Sequence, residues 1–273
     1  MSDTNNVSGT AFIIAEFRAE ENEEMQPLYR DDIVKLFLNE ETKKSSEYIT
    51  QNFPLAKEMV KLRTKYFDDV LSEQIPLGYK QVVILGSGLD TRSVRKNSEN
   101  VNYFEIDHKN TLQLKEEILS KNKIISNVCY IPGDYIKDNL VALLRSNNFD
   151  FELPTYFLWE GNTTLLTKED VIFVLKQISD NIQYFKISFD YMSEKVINRT
   201  TGYQDINDYI DKYESMYAPW ITGFDDIQSL AKDLGLKVSD NFSTAELFKK
   251  YRPNRSLESN IFKFYFVCTL EKL

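Results

Sequence analysis

Residues 81–88 read QVVILGSG, and they carry the clearest evidence for the fold class. A short continuous apolar run, here residues 82–85, is typical of a strand buried on both faces of a parallel sheet. Gly86 and Gly88 follow directly, and glycines at such a position let the main chain turn sharply and approach a ligand closely. The stretch therefore predicts the first strand of a doubly wound α/β sheet that ends in a ligand-binding turn.

Strand and helix patterns alternate on the carboxyl side of this turn. Further strands are predicted at residues 101–106, 127–131, 155–159, 184–189, 237–240 and 262–270. Helices are predicted at residues 110–119, 141–145, 168–179 and 224–234, the last capped by Gly235. Alternation of this kind implies right-handed crossovers between parallel strands. We expect a mostly parallel seven-stranded sheet whose last strand runs antiparallel inside it.

Composition excludes several classes of partner. The chain has 273 residues and a net charge of −9, which disfavours nucleic acid because phosphate binding needs an excess of Lys and Arg. Cys129 and Cys268 lie in apolar runs typical of buried thiols, and His108 is the only histidine, so no metal site is expected. No signal peptide and no apolar stretch of about 20 residues is visible, which predicts a cytoplasmic protein without a membrane partner.

The second predicted strand ends in an acid that points to a nucleoside ligand. Asp107 follows the glycines by about 20 residues, the spacing at which a carboxylate accepts hydrogen bonds from a ribose diol. A nicotinamide fingerprint has a third glycine where this chain has Thr91, and Asp90 would repel a pyrophosphate. S-adenosyl-L-methionine carries no phosphate and tolerates that acid. An NAD-dependent oxidoreductase remains the alternative interpretation of the same strand, turn and acid.

Several segments carry a resemblance to a known family. They are GSGLDTR at residues 86–92 with Arg95, FEIDH at 104–108 with Lys115, a helix motif at 10–21, RT and FDD within 63–69, and WEG at 159–161. Together, over about residues 10–175, they resemble the leucine carboxyl methyltransferase family, particularly its bacterial O-methyltransferase branch. The resemblance implies a Rossmann-like methyltransferase fold with S-adenosyl-L-methionine as cofactor.

The resemblance also implies a set of cofactor contacts. They are Arg18, Arg63, Gly86, Ser87, Gly88, Asp107, His108, Asp134, Tyr135 and Glu160. In that assignment the arginines hold the methionine carboxylate, the glycine turn passes under the methionine moiety, and Asp107 takes the ribose. Asp134 and Tyr135 flank the adenine, and Glu160 lies near the methionine amine. From residue type alone, the arginines are also compatible with surface side chains, and Asp134 with a turn cap.

Two positions depart from the family pattern. Asp32 stands where the branch has proline, and Leu165 stands where the family has a tyrosine that orients the acceptor carboxylate. No catalytic residue is assigned, because His108 adjoins the proposed ribose acid on the side away from the methyl group. The predicted function is methyl transfer to a carboxylate or hydroxyl oxygen of a small molecule, ahead of a protein C-terminus. Leu165 motivates a further alternative, a non-catalytic protein that binds S-adenosyl-L-methionine.

A single domain with four parts is predicted. Residues 1–75 form a helical cover, disordered at 1–8 and helical at 10–21, 31–39 and 55–72, and residues 80–190 form the cofactor-binding core. Residues 191–222 insert on the acceptor side, and residues 223–273 complete the sheet. The insertion carries aromatic side chains that either bind an apolar acceptor or close the core: Tyr203, Tyr209, Tyr213, Tyr217 and Trp220. The sequence gives no prediction of oligomeric state.

Overall fold

A single sheet forms the centre of the computed structural model, which describes residues 9–215, 219–257 and 259–273. Its strands are β1 (Gln81–Leu85), β2 (Asn102–Asp107), β3 (Val128–Pro132), β4 (Thr155–Trp159), β5 (Phe185–Met192), β6 (Leu236–Ser243) and β7 (Tyr265–Lys272). The seven strands are ordered β3-β2-β1-β4-β5-β7-β6. Strands β1–β5 pair in parallel, and β7 pairs antiparallel with both β5 and β6. The predicted doubly wound sheet with an antiparallel last strand is confirmed.

Helices cover both faces of the sheet. They are α1 (Gly9–Glu21), α2 (Glu40–Asn52), α3 (Pro54–Gln74), α4 (Arg92–Arg95), α5 (Lys109–Lys121), α6 (Leu140–Arg145), α7 (Lys168–Asn181), α8 (Glu194–Ile197), α9 (Gln204–Glu214), α10 (Ile227–Asp233) and α11 (Thr244–Tyr251). Alternate residues of a strand point to opposite faces. Accordingly, Val83 and Leu85 pack into one apolar core, and Val82 and Ile84 pack into the other. This explains why β1 reads as a continuous apolar run.

The N-terminal helices differ from the prediction at one segment. Residues 31–39 form only a short 3-10 helix, Val34–Phe37, because Asp31 accepts the N–H of Val34 and pairs with Arg18. Helix α2 was not predicted, since its sequence EETKKSSEYITQN has too few apolar residues to show a helical period. It begins at a capping box, in which the side chains of Asn39 and Thr42 each accept a main-chain N–H.

The C-terminal half also extends beyond the predicted elements. Strand β5 continues to Met192, so that Asp190 lies within it, and an unpredicted helix α11 connects β6 to the segment before β7. Gly235 has φ +67, which agrees with its predicted capping role after α10. The predicted disorder at residues 1–8 and Tyr217 lie outside the described residues. Within the described ranges, every helix is too short or too polar to cross a bilayer.

Candidate functional site

A cavity of about 940 Å³ opens at the carboxyl ends of the central strands. In an open α/β sheet this is the edge where ligands bind, because the strand order reverses there and leaves a crevice. Every residue predicted as a cofactor contact lines the cavity: Arg18, Arg63, Gly86, Ser87, Gly88, Asp107, His108, Asp134, Tyr135 and Glu160. The volume lies near the upper end of the roughly 300–1,000 Å³ typical of small-molecule sites.

The turn after β1 requires glycine for two different reasons. Gly86 has φ +60, and a Cβ there would lie 2.6 Å from Oδ1 of Asn162. The Asn162 side chain is held in place, since its Nδ2 donates to the carbonyl oxygen of Glu160 at 2.7 Å. Gly88 has φ +49, but a Cβ there would meet only Ala11 at 3.7 Å. The Asn162 side chain therefore covers Gly86, whereas the main chain at Gly88 stays open to close approach.

Asp107 joins this turn to the end of β2. Its Oδ2 accepts the N–H of Gly88 at 2.7 Å, and its Oδ1 accepts the N–H of His108 at 2.6 Å. A carboxylate offers about four lone-pair sites, so two remain for hydroxyl donors. The carboxylate is half-buried and faces the cavity, which fits a ribose diol. His108 is exposed beside it and begins helix α5 without a capping side-chain bond.

Asp134 and Tyr135 form the part of the cavity that follows β3. Asp134 Oδ1 accepts the N–H groups of Ile136 and Lys137, as a turn cap does. Partial burial acts to raise the pKa of Asp134, but hydrogen bonds from Lys137 and Ile136 lower it below the usual value. Tyr135 Oη accepts Nε1 of Trp159 at 3.0 Å, and the two rings meet edge to face. Both residues face the cavity beside Asp107, as the predicted adenine contacts would.

Arg63 lies at the centre of a buried polar cluster. Its Nε donates to Glu160 at 3.0 Å, and its Nη1 donates to Asp190 at 3.2 Å and to Tyr265 Oη at 2.6 Å. Nη2 of Arg63 makes no hydrogen bond to any of the described residues. That nitrogen lies where a Cβ on Gly161 would approach to 2.8 Å, so glycine makes room for it. Arg63 therefore presents two N–H groups to a ligand carboxylate in the cavity.

Arg18 uses more of its N–H groups in hydrogen bonds within the protein than the sequence predicted. Its Nε and Nη2 donate to Asp31, Nη2 also to Thr91, and Nη1 to the carbonyl oxygen of Leu89. Four of its five N–H groups are thereby used, and one remains for a ligand. Sequence reasoning placed Arg18 at the methionine carboxylate; in the structure its main partner is the buried carboxylate of Asp31.

A second set of ion pairs lies behind the glycine turn. Arg92 pairs with Asp68, Asp90 and Glu160, and Arg95 pairs with Asp68. Burial acts to raise the pKa of Asp90, but the charges of Arg92 and Arg18 hold it well below its usual value. Asp90 is thus a carboxylate at neutral pH, and its charge is balanced by the ion pair with Arg92.

The other half of the cavity is apolar. Its lining comes from α1, α2, α3, α9 and the segment after α9: Ile13, Ile14, Phe17, Ile49, Phe53, Ala56, Met59, Val60, Tyr209, Tyr213 and Trp220. The aromatic residues predicted for the insertion do not all line the cavity. Tyr209, Tyr213 and Trp220 line the cavity, whereas Tyr203 packs against Phe264 at 6.0 Å and lies outside the lining.

Sequence comparison identifies the family. The family model described as leucine carboxyl methyltransferase matches residues 11–179. The chain belongs to the leucine carboxyl methyltransferase family. A candidate S-adenosyl-L-methionine-dependent methyltransferase of Mycobacteroides abscessus is 30% identical over 57% of this chain and 56% of its own length. A similarly described Frankia alni protein is 26% identical over 63% and 64%. The chain therefore spans between about half and two thirds of these curated relatives.

Solved structures support the fold of this leucine carboxyl methyltransferase family member. A DUF574 family protein from Streptomyces avermitilis aligns over 100% of both chains with a TM-score of 0.65 and 10% identity. A candidate methyltransferase from Thermobifida fusca covers 95% of this chain and 94% of its own, with a TM-score of 0.60 and 15% identity. At such identities the likeness concerns the fold alone. The predicted family is confirmed, and the names of the curated relatives agree with the predicted cofactor.

Three residues of the site were missed by sequence reasoning. Asp190 and Tyr265 accept hydrogen bonds from Arg63, and Asn162 lies against Gly86 in the turn. None of the three belongs to a motif noted in the sequence. Asp190 did leave a signal, because it directly follows the predicted fifth strand on the ligand-binding edge. Tyr265 left none, since its contact with Arg63 joins positions 202 residues apart. In this family member Leu165 is 45% exposed and lines the cavity.

Proposed function

We propose that the chain is an S-adenosyl-L-methionine-dependent O-methyltransferase that acts on a small-molecule carboxylate or hydroxyl. The observation that supports this most strongly is the convergence of the Gly86–Gly88 turn with Asp107 beside a cavity that continues into an apolar half. The polar half offers a carboxylate for a ribose diol, and Arg63 Nη2 for a ligand carboxylate. The names of the curated relatives agree with this ligand.

The residues present fit the cofactor and leave the chemistry to it. When bound, S-adenosyl-L-methionine supplies an activated methyl group on a positively charged sulfur. An acceptor oxygen forms the new C–O bond as the C–S bond breaks, and the bonding pair stays on sulfur to give S-adenosylhomocysteine. A carboxylate acceptor has no proton to lose, whereas a hydroxyl acceptor releases one. The protein contributes alignment of the reacting atoms and exclusion of water.

The oxidoreductase alternative is weakened by the geometry of the turn. A dinucleotide needs a helix N-terminus aimed at its pyrophosphate. Here α4 has 4 residues, and Thr91 is fully buried against Asp31 instead of leaving space for a phosphate. Arg92 is already paired with Asp90, Asp68 and Glu160, so it is not available to neutralise a diphosphate.

Calorimetric titration with S-adenosylhomocysteine tests the proposal. We expect saturable binding to the wild-type chain and a weakening of roughly 10- to 100-fold in Asp107→Asn, because charged acceptors for the ribose are lost. Asp180→Asn, an exposed acid on α7 outside the cavity, is the matched control and should bind as the wild type does. No binding at millimolar ligand, or tighter binding of NAD, would remove the proposal.

Product formation separates an enzyme from a binding protein. Release of S-adenosylhomocysteine from S-adenosyl-L-methionine over a broad panel of aromatic and aliphatic acids and alcohols would support the enzyme. Cofactor binding without any methylated product across that panel would favour the non-catalytic alternative that Leu165 motivated.

A further inference from the structure

We infer that the methyl acceptor is a flat aromatic compound whose ring system lies against an aromatic wall, defined here as Phe53, Tyr209, Tyr213 and Trp220. The inference rests on the proposed methyltransferase function and adds the substrate class. The acceptor's reacting oxygen lies at the boundary between the two halves of the cavity. The rest of its body occupies the apolar half.

The aromatic wall is a continuous surface of rings. Phe53 meets Tyr209 and Tyr213 edge to face, with ring centroids 5.4 and 5.7 Å apart. Tyr213 and Trp220 lie 4.5 Å apart at an interplanar angle of 34°. These residues come from the start of α3, from α9 and from the segment after α9, so three parts of the chain converge on one surface. Tyr209, Tyr213 and Trp220 are only partly buried, which leaves ring surface toward the cavity.

Charge is confined to the other half of the cavity. In the described part of the chain, the charged side chains of the lining are Arg18, Arg63, Asp90, Asp107, Lys109, Asp134 and Glu160, and His108 lies beside them. All of them surround the strand ends and the predicted cofactor. The lining that α2, α9 and residues 53–60 contribute is free of charge. A polyamine or a charged peptide would lose its hydration there without meeting an opposite charge.

Aliphatic side chains adjoin the aromatic wall. Ile13 and Ile14 of α1 are partly buried and line the same half of the cavity. Leu165 adds a further aliphatic side chain, 45% exposed, where the predicted family tyrosine would add a hydroxyl. A ring system that lies against the wall can stack on its rings or meet them edge to face. An aliphatic chain would bury its apolar surface there but could not make stacked or edge-to-face contacts with the rings of the wall.

Arg63 marks the boundary between the two halves of the cavity. Met59 and Val60, one turn earlier on α3, line the apolar half, and Arg63 itself adjoins the predicted methionine site. Its charge is already paired with Glu160 and Asp190, so it offers no further cation to the acceptor. The ring system therefore occupies the apolar half, with the reacting oxygen toward this boundary.

Calorimetry with 2-naphthoate and its saturated analogue decahydronaphthalene-2-carboxylate tests the inference. Both carry one carboxylate on a bicyclic frame, so the difference between them reports aromaticity. We expect 2-naphthoate to bind at millimolar concentration or better, and more tightly than the saturated analogue by roughly threefold or more. Each titration is run with and without saturating S-adenosylhomocysteine, so that failure of cofactor binding is seen separately from failure of the aromatic wall.

Variants of the wall supply the control. Tyr213→Leu and Trp220→Leu should each weaken 2-naphthoate binding by roughly fivefold while S-adenosylhomocysteine still binds, which also shows that the variant is folded. Tyr203→Leu changes the same residue type in the same insertion but outside the cavity, and should leave both affinities unchanged. The inference is overturned by the absence of 2-naphthoate binding, by equal affinity for the saturated analogue, or by wild-type affinity in both wall variants.

Discussion

At the scale of single residues, Gly86 illustrates how one absent side chain shapes the site. Alanine at this position would adopt φ +60, and its Cβ would lie within 3 Å of the Asn162 side chain. We expect Gly86→Ala to lower the free energy of unfolding by about 2 kcal/mol, compared with about 1 kcal/mol for Gly88→Ala. Gly88 shares the positive φ without the close contact, so chemical denaturation of the two variants isolates the effect of Asn162.

A second substitution checks the cause of that difference. Asn162→Gly in the Gly86→Ala background removes the side chain that the new Cβ would meet. The difference between the two alanine variants should then shrink. Equal losses in Gly86→Ala and Gly88→Ala would show that backbone conformation alone, and not the contact, accounts for the requirement.

Sequence reasoning at this scale identified the residues that belong to local motifs. Gly86, Asp107 and Glu160 could be found because each ends or follows a strand, where side chains and turns face the ligand edge. The partners of the arginines could not be found in this way. Tyr265 reaches Arg63 only because β7 inserts antiparallel beside β5, and Asp31 reaches Arg18 across a loop. Such contacts depend on the assembled fold and leave no local pattern.

At the scale of elements, α2 shows where periodicity fails as a predictor. Only Thr42, Ser46 and Ile49 are buried in its 13 residues, so the apolar stripe is too sparse to detect. The helix is held instead by its capping box and by Thr42, whose hydroxyl donates to Glu16 on α1 at 2.6 Å. The strands were predicted closely because burial on both faces gives continuous apolar runs, as in β1 and β4.

The capping box of α2 yields a prediction of its own. Asn39→Ala removes the acceptor for the N–H groups of Glu41 and Thr42, and should lower the free energy of unfolding by about 1 kcal/mol. Hydrogen exchange should also show earlier opening of α2, which carries Ile49 into the cavity. Ser45→Ala, an exposed position within the same helix, is the control and should change stability little. An Asn39→Ala variant as stable as the control would contradict the assigned role of the cap.

At the scale of the whole molecule, buried ion pairs connect the N-terminal helices to the sheet. Asp31 pairs with Arg18 on α1 and approaches Arg95 on α4, and Asp68 on α3 pairs with Arg92 and Arg95. Burial acts to raise the pKa of Asp31 and of Asp68, but the neighbouring arginines lower both below 3.8. The α1–α3 cover and the turn after β1 are therefore joined by charges that must stay ionised.

This network predicts loss of stability in acid. A carboxyl group whose pKa is depressed by folding stabilises the native state above its unfolded pKa, and that contribution disappears as pH falls through the folded pKa. The free energy of unfolding should therefore decline as pH falls below about 5. Asp31→Asn should cost about 3 kcal/mol at pH 7, since Arg18 is left buried without its partner, and should show a shallower acid decline. If the stability of Asp31→Asn fell with pH as steeply as that of the wild type, the assignment of the acid sensitivity to Asp31 would be contradicted.

The whole molecule combines a sheet edge that suits a nucleoside with a helical cover that suits an apolar acceptor. The decisive experiment is a structure determined with bound S-adenosylhomocysteine. We expect the ribose hydroxyls within about 3 Å of the Asp107 carboxylate, with the sulfur facing the apolar half of the cavity. A ligand bound elsewhere, or a ribose without contact to Asp107, would contradict it.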